Sequence, residues 1–139
     1  MKFSIETLED LPAFARAFKR SFSSPAIFLV HGEMGAGKTT SVGAILQEFG
    51  LSFMGSPTFS LVNEYETKEK VKVYHFDLYR LKNIEEAYDI GIEEYLDAEA
   101  YLFIEWPEKI VPLLRGNFYE MRIRLEGKSR IIDIQRSDQ

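Results

Sequence analysis

A glycine-rich segment followed by a lysine and a threonine is the part of this sequence with the clearest chemical meaning. Gly32-Glu33-Met34-Gly35-Ala36-Gly37-Lys38-Thr39 matches the pattern G-x-x-x-x-G-K-[ST] at every fixed position. Glycines at this spacing let the backbone turn its N–H groups inward and form a concave site for an anion. The segment therefore predicts binding of a nucleoside triphosphate through its phosphate groups.

The residues on either side predict the elements that would position this loop. Ala26 to Val30 is a short apolar run typical of a buried strand. Residues 40–49 carry apolar side chains at helical spacing, and Gly50 follows as a plausible C-terminal cap. The N-terminus of this helix would point at the phosphates, where its dipole favours negative charge.

Three residues after the glycines have side chains suited to a nucleotide. Lys38 would reach the β- and γ-phosphates, the Thr39 hydroxyl would ligate Mg²⁺, and Thr40 could hydrogen-bond the α-phosphate. The predicted nucleotide-binding residues of the loop are therefore Glu33, Met34, Gly35, Ala36, Gly37, Lys38, Thr39 and Thr40.

A Mg²⁺ ion at such a loop needs an acidic residue, usually at the end of an adjacent apolar strand. Asp77 directly follows the alternating residues 71–76, and Glu105 directly follows the apolar run 101–104. Because Mg²⁺ takes only one or two protein carboxylates, one could ligate the ion while the other orients a water molecule. The spacing alone does not assign the two roles.

Other polar residues have both a functional and a structural interpretation. Thr58 lies in the Pro-fixed segment 56–59, which could become ordered when a γ-phosphate is present or could be a turn without function. His75 is interpreted as a residue at the edge of the core, and His31 as the residue that precedes the loop. Trp106 is expected to pack half-buried beside the site.

The remaining periodicities predict how the chain is organised. Residues 8–18 and 84–96 have helical spacing, the second with an interruption at Gly91. Strands are predicted at 60–65, 71–76 and 101–104, and a hairpin joins 119–125 to 130–134. These elements predict one α/β domain over residues 1–139, with a P-loop NTPase-like three-layer fold, a mixed, mainly parallel sheet and a C-terminal hairpin.

Composition excludes several classes of protein. The chain has no cysteine, which removes thiolate catalysis and cysteine-bound zinc and agrees with a reducing compartment. No signal segment or membrane-length apolar run is present, so we expect a cytoplasmic protein without a membrane partner. A net charge of -5 disfavours autonomous binding to a nucleic acid, so any RNA is expected to be held by a partner protein.

Four motifs in this order resemble the bacterial TsaE family, formerly YjeE. They are residues 32–40, Ser56-Pro57-Thr58-Phe59, His75-Phe76-Asp77-Leu78-Tyr79-Arg80-Leu81, and Ile104-Glu105-Trp106-Pro107-Glu108. The resemblance spans about Ala26 to Glu108 and is looser at both ends of the chain. That family supplies an ATPase to tRNA threonylcarbamoyladenosine biosynthesis.

The resemblance implies a cytosolic, Mg²⁺-dependent ATPase with weak activity alone. It would bind ATP and Mg²⁺ and act on the complex of TsaD, the threonylcarbamoyl transferase subunit, with TsaB. ATP hydrolysis would support repeated modification of adenosine 37, and tRNA would be met only through that complex.

The resemblance also implies roles by motif position. Lys38 would be the phosphate lysine, and Thr39 and Glu105 would be the Mg²⁺ ligands. Asp77 would be a catalytic or water-positioning acid, and Thr58 would belong to the nucleotide-sensing loop. Nucleobase contacts are less defined, and Arg130 is a weak candidate.

Two other functions remain open from the residues. A small-molecule kinase could use the same loop, although no lid insertion or acceptor pocket is readable. A nucleotide-gated binding module without useful turnover is the other alternative. A GTPase is disfavoured because neither N-K-x-D nor D-x-x-G occurs in the sequence.

Overall fold

The computed structural model describes residues 1–57 and 60–138, with the side chain of residue 138 excluded. The strands in this part of the chain are β1 (Lys2–Ile5), β2 (Ile27–His31), β3 (Val62–Glu66), β4 (Lys72–Asp77), β5 (Ala100–Glu105), β6 (Asn117–Glu126) and β7 (Ser129–Asp138). The helices are α1 (Leu11–Ser21), α2 (Lys38–Glu48), α3 (Ile84–Asp89) and α4 (Ile92–Asp97), with 3₁₀ turns at Leu8–Asp10 and Pro107–Leu113.

The described strands form one mixed sheet in the order β1-β7-β6-β2-β5-β4-β3. The four central strands, β6, β2, β5 and β4, are parallel to one another. The outer pairs are antiparallel, namely β3 with β4, β6 with β7, and β7 with β1. This confirms the predicted mixed sheet with a parallel core and a C-terminal hairpin.

Alternation along the central strands divides the core into two layers, one on each face of the sheet. In β2, Phe28 and Val30 belong to the cluster that includes α1 and α2, whereas Leu29 belongs to the cluster on the opposite face. Residues of α3 and α4 pack into that second cluster. Because side chains of a strand alternate between faces, a near-continuous apolar strand implies helices on both sides. The three-layer prediction is thus confirmed.

Aromatic side chains dominate the layer beneath α1 and α2. Phe14, Phe18, Phe28 and Phe103 are fully buried, and the rings of Phe18 and Phe28 have centroids 4.9 Å apart. Burying each such side chain contributes about 1.5–3 kcal/mol. This layer fixes α2 against the sheet and thereby fixes the direction in which its N-terminus points.

Most predicted elements are found with small shifts of their ends. Gly50 follows α2 with a φ of +82°, and Gly91, with a φ of +76°, separates α3 from α4. Two elements were not predicted, namely strand β1 and the 3₁₀ turn at Pro107–Leu113. β1 is only four residues long and is defined by its pairing with β7, which its own sequence does not show.

No helix within the described ranges is both long enough and apolar enough to cross a membrane.

Candidate functional site

The glycine-rich loop joins the end of β2 to the start of α2, as the motif requires. Gly35 and Gly37 have φ values of +82° and +104°, which side-chain-bearing residues rarely adopt. Gly37 is the N-cap residue of α2, and no acidic residue stands in the first turn of that helix. The free N–H groups and the helix dipole therefore face the loop without a competing carboxylate from the same turn.

Lys38 is 6% exposed and folds back onto its own loop. Its ammonium group donates to the carbonyl oxygen of Gly32 and, at 3.2 Å, to that of Glu33. The same nitrogen lies 3.9 Å from the ring centroid of Trp106, within the range of a cation–π contact. Trp106 therefore packs directly on the site lysine, which goes beyond the packing role expected from the sequence.

Two effects act on the charge of Lys38 in opposite directions. Burial lowers the pKa of Lys38 below its usual value, while the carboxylates of Glu105, Asp77 and Glu108 oppose that shift. A cation held among desolvated carbonyls loses less hydration on meeting an anion than a fully exposed lysine does. The ammonium group is thus placed to exchange loop carbonyls for phosphate oxygens.

The Thr39 hydroxyl and the Glu105 carboxylate are in direct contact. Thr39 Oγ1 lies 2.9 Å from Glu105 Oε1 and 3.0 Å from Oε2, and the Glu105 residue is only 2% exposed. These side chains come from the first turn of α2 and the end of β5, which the core holds side by side. Together they present the hydroxyl and carboxylate oxygens that Mg²⁺ prefers, in the small number that it takes from proteins.

His75 contacts the same carboxylate as Thr39 does. Its Nε2 lies 2.6 Å from Glu105 Oε2, and the residue is fully buried. The interpretation of His75 as a core-edge residue therefore missed its partner. The register of β4 and β5 explains this contact. His75 pairs with Phe103, and Glu105 is two residues further along the neighbouring strand, on the same face of the sheet.

Asp77 lies next to Glu105 at the carboxyl edge of the sheet. The two residues are paired in the β4–β5 register. Asp77 Oδ2 accepts a hydrogen bond from Ser56 Oγ at 2.8 Å, and its Oδ1 accepts one from the Tyr79 N–H at 3.1 Å. Asp77 is therefore tied to the segment before residue 58, whereas Glu105 is tied to Thr39. The prediction for Thr58 lies outside the described residues.

A cleft of about 470 Å³ opens between these side chains. This volume falls within the range typical of small-ligand sites. Of the predicted residues, Glu33 and Ala36 line a neighbouring cleft over β6 instead. The residues lining the main cleft are Met34, Gly35, Gly37, Lys38, Thr39, Thr40, Ser56, Pro57, Leu61, Asp77, Tyr79, Arg80, Glu105, Trp106 and Arg130.

Arg130 reaches the loop from the start of β7. A side chain built at Gly37 would meet the Arg130 Cδ and Nε atoms at 3.4 Å, so the two residues are in close contact. The Arg130 Nε is buried and has no hydrogen-bond partner among the described residues. The structure thus brings Arg130 to the glycine-rich loop itself.

Comparisons with known proteins show similarity to one family. The sequence profile described as "Threonylcarbamoyl adenosine biosynthesis protein TsaE" matches residues 5–134. The tRNA threonylcarbamoyladenosine biosynthesis protein TsaE of Rickettsia prowazekii is 33% identical over 138 residues, covering 97% of this chain and 94% of that relative. The TsaE of Haemophilus influenzae is 41% identical over 100 residues, covering 69% of this chain and 61% of that protein.

A solved structure supports the fold. The crystal structure of YdiB from Bacillus subtilis aligns with a TM-score of 0.74 at 22% identity, covering 100% of this chain and 86% of YdiB. At that identity the likeness concerns the fold alone. The profile match and the nearly full-length similarity to curated relatives are the stronger findings, and they show that this chain belongs to the TsaE family of threonylcarbamoyl adenosine biosynthesis proteins.

Proposed function

We propose that this protein is a Mg²⁺-dependent ATPase that supports threonylcarbamoylation of adenosine 37 in tRNA by acting on a TsaD–TsaB complex. The observation that carries the ATPase assignment is the contact of Thr39 with Glu105 at the N-terminus of α2, beside the buried Lys38. The names of the family and of its relatives support the pathway. The partner proteins follow from the motif resemblance.

The residues of the main cleft fit Mg²⁺ and a nucleoside triphosphate. Thr39 and Glu105 would hold the ion, the loop N–H groups and Lys38 would bind phosphate oxygens, and Thr40 would stand next to the α-phosphate. When bound, Mg²⁺ neutralises charge on the β- and γ-phosphates. A buried carboxylate and a hydroxyl already in contact need little reorganisation to serve as ligands.

Asp77 would orient the attacking water. Its carboxylate lies beside Glu105, lines the cleft and is held by Ser56 and by the Tyr79 N–H. The water oxygen would attack the γ-phosphorus, the bond to the β-phosphate oxygen would break, and ADP and inorganic phosphate would leave with release of a proton. Asp77 would accept a hydrogen bond from that water and so set its direction.

Phosphate release from Mg²⁺-ATP, with and without a purified TsaD–TsaB complex and tRNA, tests this function. We expect weak release by the chain alone and a marked change when the complex is added. The Glu105→Gln variant should retain nucleotide binding in EDTA but lose the Mg²⁺-dependent release. Release that the complex leaves unchanged would argue against the pathway role, and wild-type release by Glu105→Gln would contradict the site.

A further inference from the structure

Neither the sequence motifs nor the packing of the core explains why a histidine stands at position 75. Its imidazole is fully buried at the point where β4 lies against β5, and its Nε2 is 2.6 Å from Glu105 Oε2. A carboxylate oxygen can only accept a hydrogen bond, so the imidazole N–H is the donor. The contact is short enough to hold that oxygen in one place.

Stability alone does not account for an imidazole here. The other ring nitrogen of His75, Nδ1, is buried without a hydrogen-bond partner in the described part of the chain. Native proteins rarely leave such atoms unpaired, and where they do the residue is frequently functional. The ring of Phe53 lies beside it, at a centroid distance of 6.2 Å. Among the residues that the structure describes, the hydrogen bond to Glu105 is the one polar contact of this side chain.

The two groups that hold Glu105 differ in what they can do when a ligand enters. Thr39 is in the first turn of α2 and lines the cleft, so its hydroxyl is available to an ion. His75 is fully buried and does not line the cleft. The His75 contact can therefore persist when a ligand engages Thr39, and it is the one that can fix the carboxylate in the loaded site.

We propose that His75 is a positioning residue that fixes the Glu105 carboxylate through its Nε2–H and so sets the affinity of the site for a divalent cation. This inference rests on the proposed function, because it assigns Glu105 to the cation. Residues that orient a metal ligand through a hydrogen bond typically change metal affinity 10- to 100-fold when they are replaced.

A pair of amide substitutions tests this role. In His75→Gln the amide nitrogen can approach the position of Nε2, whereas in His75→Asn the side chain is one methylene shorter and cannot reach Glu105. ADP binding is measured by calorimetry in EDTA and across a MgCl₂ titration, which gives the half-saturating Mg²⁺ concentration without requiring turnover. We expect His75→Asn to raise that concentration at least about tenfold and His75→Gln to stay within about threefold of wild type, with ADP binding in EDTA unchanged in both.

His31→Gln is the matched control. It also removes an imidazole that contacts a carboxylate, Glu120 at 3.1 Å, but His31 does not line the main cleft. We expect its Mg²⁺ titration to match that of the wild type. Equal Mg²⁺ responses of His75→Asn and wild type would overturn the inference, as would an equal loss of ADP binding with and without Mg²⁺.

The experiment distinguishes a failure of the His75 role from a folding defect and from a failure of the proposed function. If His75→Asn does not fold, His75→Gln decides, because a tenfold loss of Mg²⁺ affinity in a folded variant that retains the donor would contradict the proposed contact. If the wild type itself binds ADP without any response to Mg²⁺, the proposed function fails before His75 is considered. A Mg²⁺-responsive wild type with an unaffected His75→Asn refutes only the role of His75.

Discussion

At the scale of single residues, the Lys38 ammonium has two sets of partners available to it. In this structure it donates to the carbonyl groups of Gly32 and Glu33 and lies under the Trp106 ring. These carbonyls are part of the loop that would surround phosphate groups, so a nucleotide would compete with them for the same cation. A phosphate oxygen would be the preferred partner because of its larger negative charge.

Replacing Lys38 should therefore affect binding far more than folding. Hydrogen bonds to charged groups contribute about 1.5–3 kcal/mol, so Lys38→Ala is expected to weaken ATP binding at least about tenfold in calorimetry. Lys109→Ala is the control, because Lys109 also donates to two carbonyl oxygens, those of Leu81 and Lys82, and does not line the main cleft. Equal ATP affinities of the two variants would refute the role of Lys38.

A second prediction for a single residue concerns His31 and pH. Burial, with a smaller effect of the Arg122 guanidinium, lowers the pKa of His31 below 6.5, although Glu120 opposes the shift. Between the lowered value and the unfolded value the unfolded chain binds more protons, so the free energy of unfolding falls as the pH decreases. From about pH 7.5 to about pH 5.5, urea denaturation should show a smaller loss of stability for His31→Gln than for wild type. Parallel losses would exclude this contribution.

At the scale of elements, the packing of α2 depends on a glycine in its middle. A Cβ atom at Gly43 would lie 2.7 Å from the Cδ2 and Cε2 atoms of Phe53. Glycine to alanine in a helix interior normally stabilises by up to about 1 kcal/mol. Here the close approach should reverse the sign, and we expect Gly43→Ala to lower the free energy of unfolding by about 1–3 kcal/mol in urea denaturation.

The same substitution made in a variant with a smaller side chain at position 53 provides the control for that prediction. In Phe53→Leu the ring that blocks the added methyl group is gone, so Gly43→Ala should become neutral or stabilising there. A Gly43→Ala effect of the same size in both backgrounds would mean that contact with Phe53 is not its cause.

The elements also show what could be predicted from the sequence. Local periodicity identified α2 and the hairpin of β6 and β7, since each has an amphipathic or alternating pattern of its own. Glu105 could be found because it ends a continuous apolar run. The His75–Glu105 contact could not, because it depends on the register of two strands that are separated in the chain. Thr39 was predicted to meet Mg²⁺, and the spacing alone did not choose between Asp77 and Glu105 as the second ligand. The family resemblance chose Glu105, which is the carboxylate that Thr39 contacts.

At the scale of the whole molecule, sheet topology brings a residue of the last strand to the glycine-rich loop. β6 runs parallel to β2, so both strands end at the same edge of the sheet. β7 is antiparallel to β6 and therefore starts at that edge, which places Arg130, its second residue, against Gly37. The sequence suggested Arg130 only as a weak nucleobase candidate, because its distance along the chain hides this proximity.

The Arg130 Nε is buried without a hydrogen-bond partner in the described part of the chain, and this favours an anionic partner in the cleft. A phosphate group is the nearest anion that the proposed ligand offers to this position beside Gly37. Arg130→Ala is therefore expected to weaken ADP binding about 5- to 30-fold in calorimetry, corresponding to about 1–2 kcal/mol. Because phosphate contacts do not depend on the base, the loss should be similar for ADP and GDP. Arg124→Ala in the same hairpin is the control, since Arg124 is exposed and pairs with Glu126 at 3.2 Å. A loss confined to ADP would instead assign Arg130 to the nucleobase, and no loss would leave it as a packing residue of the loop.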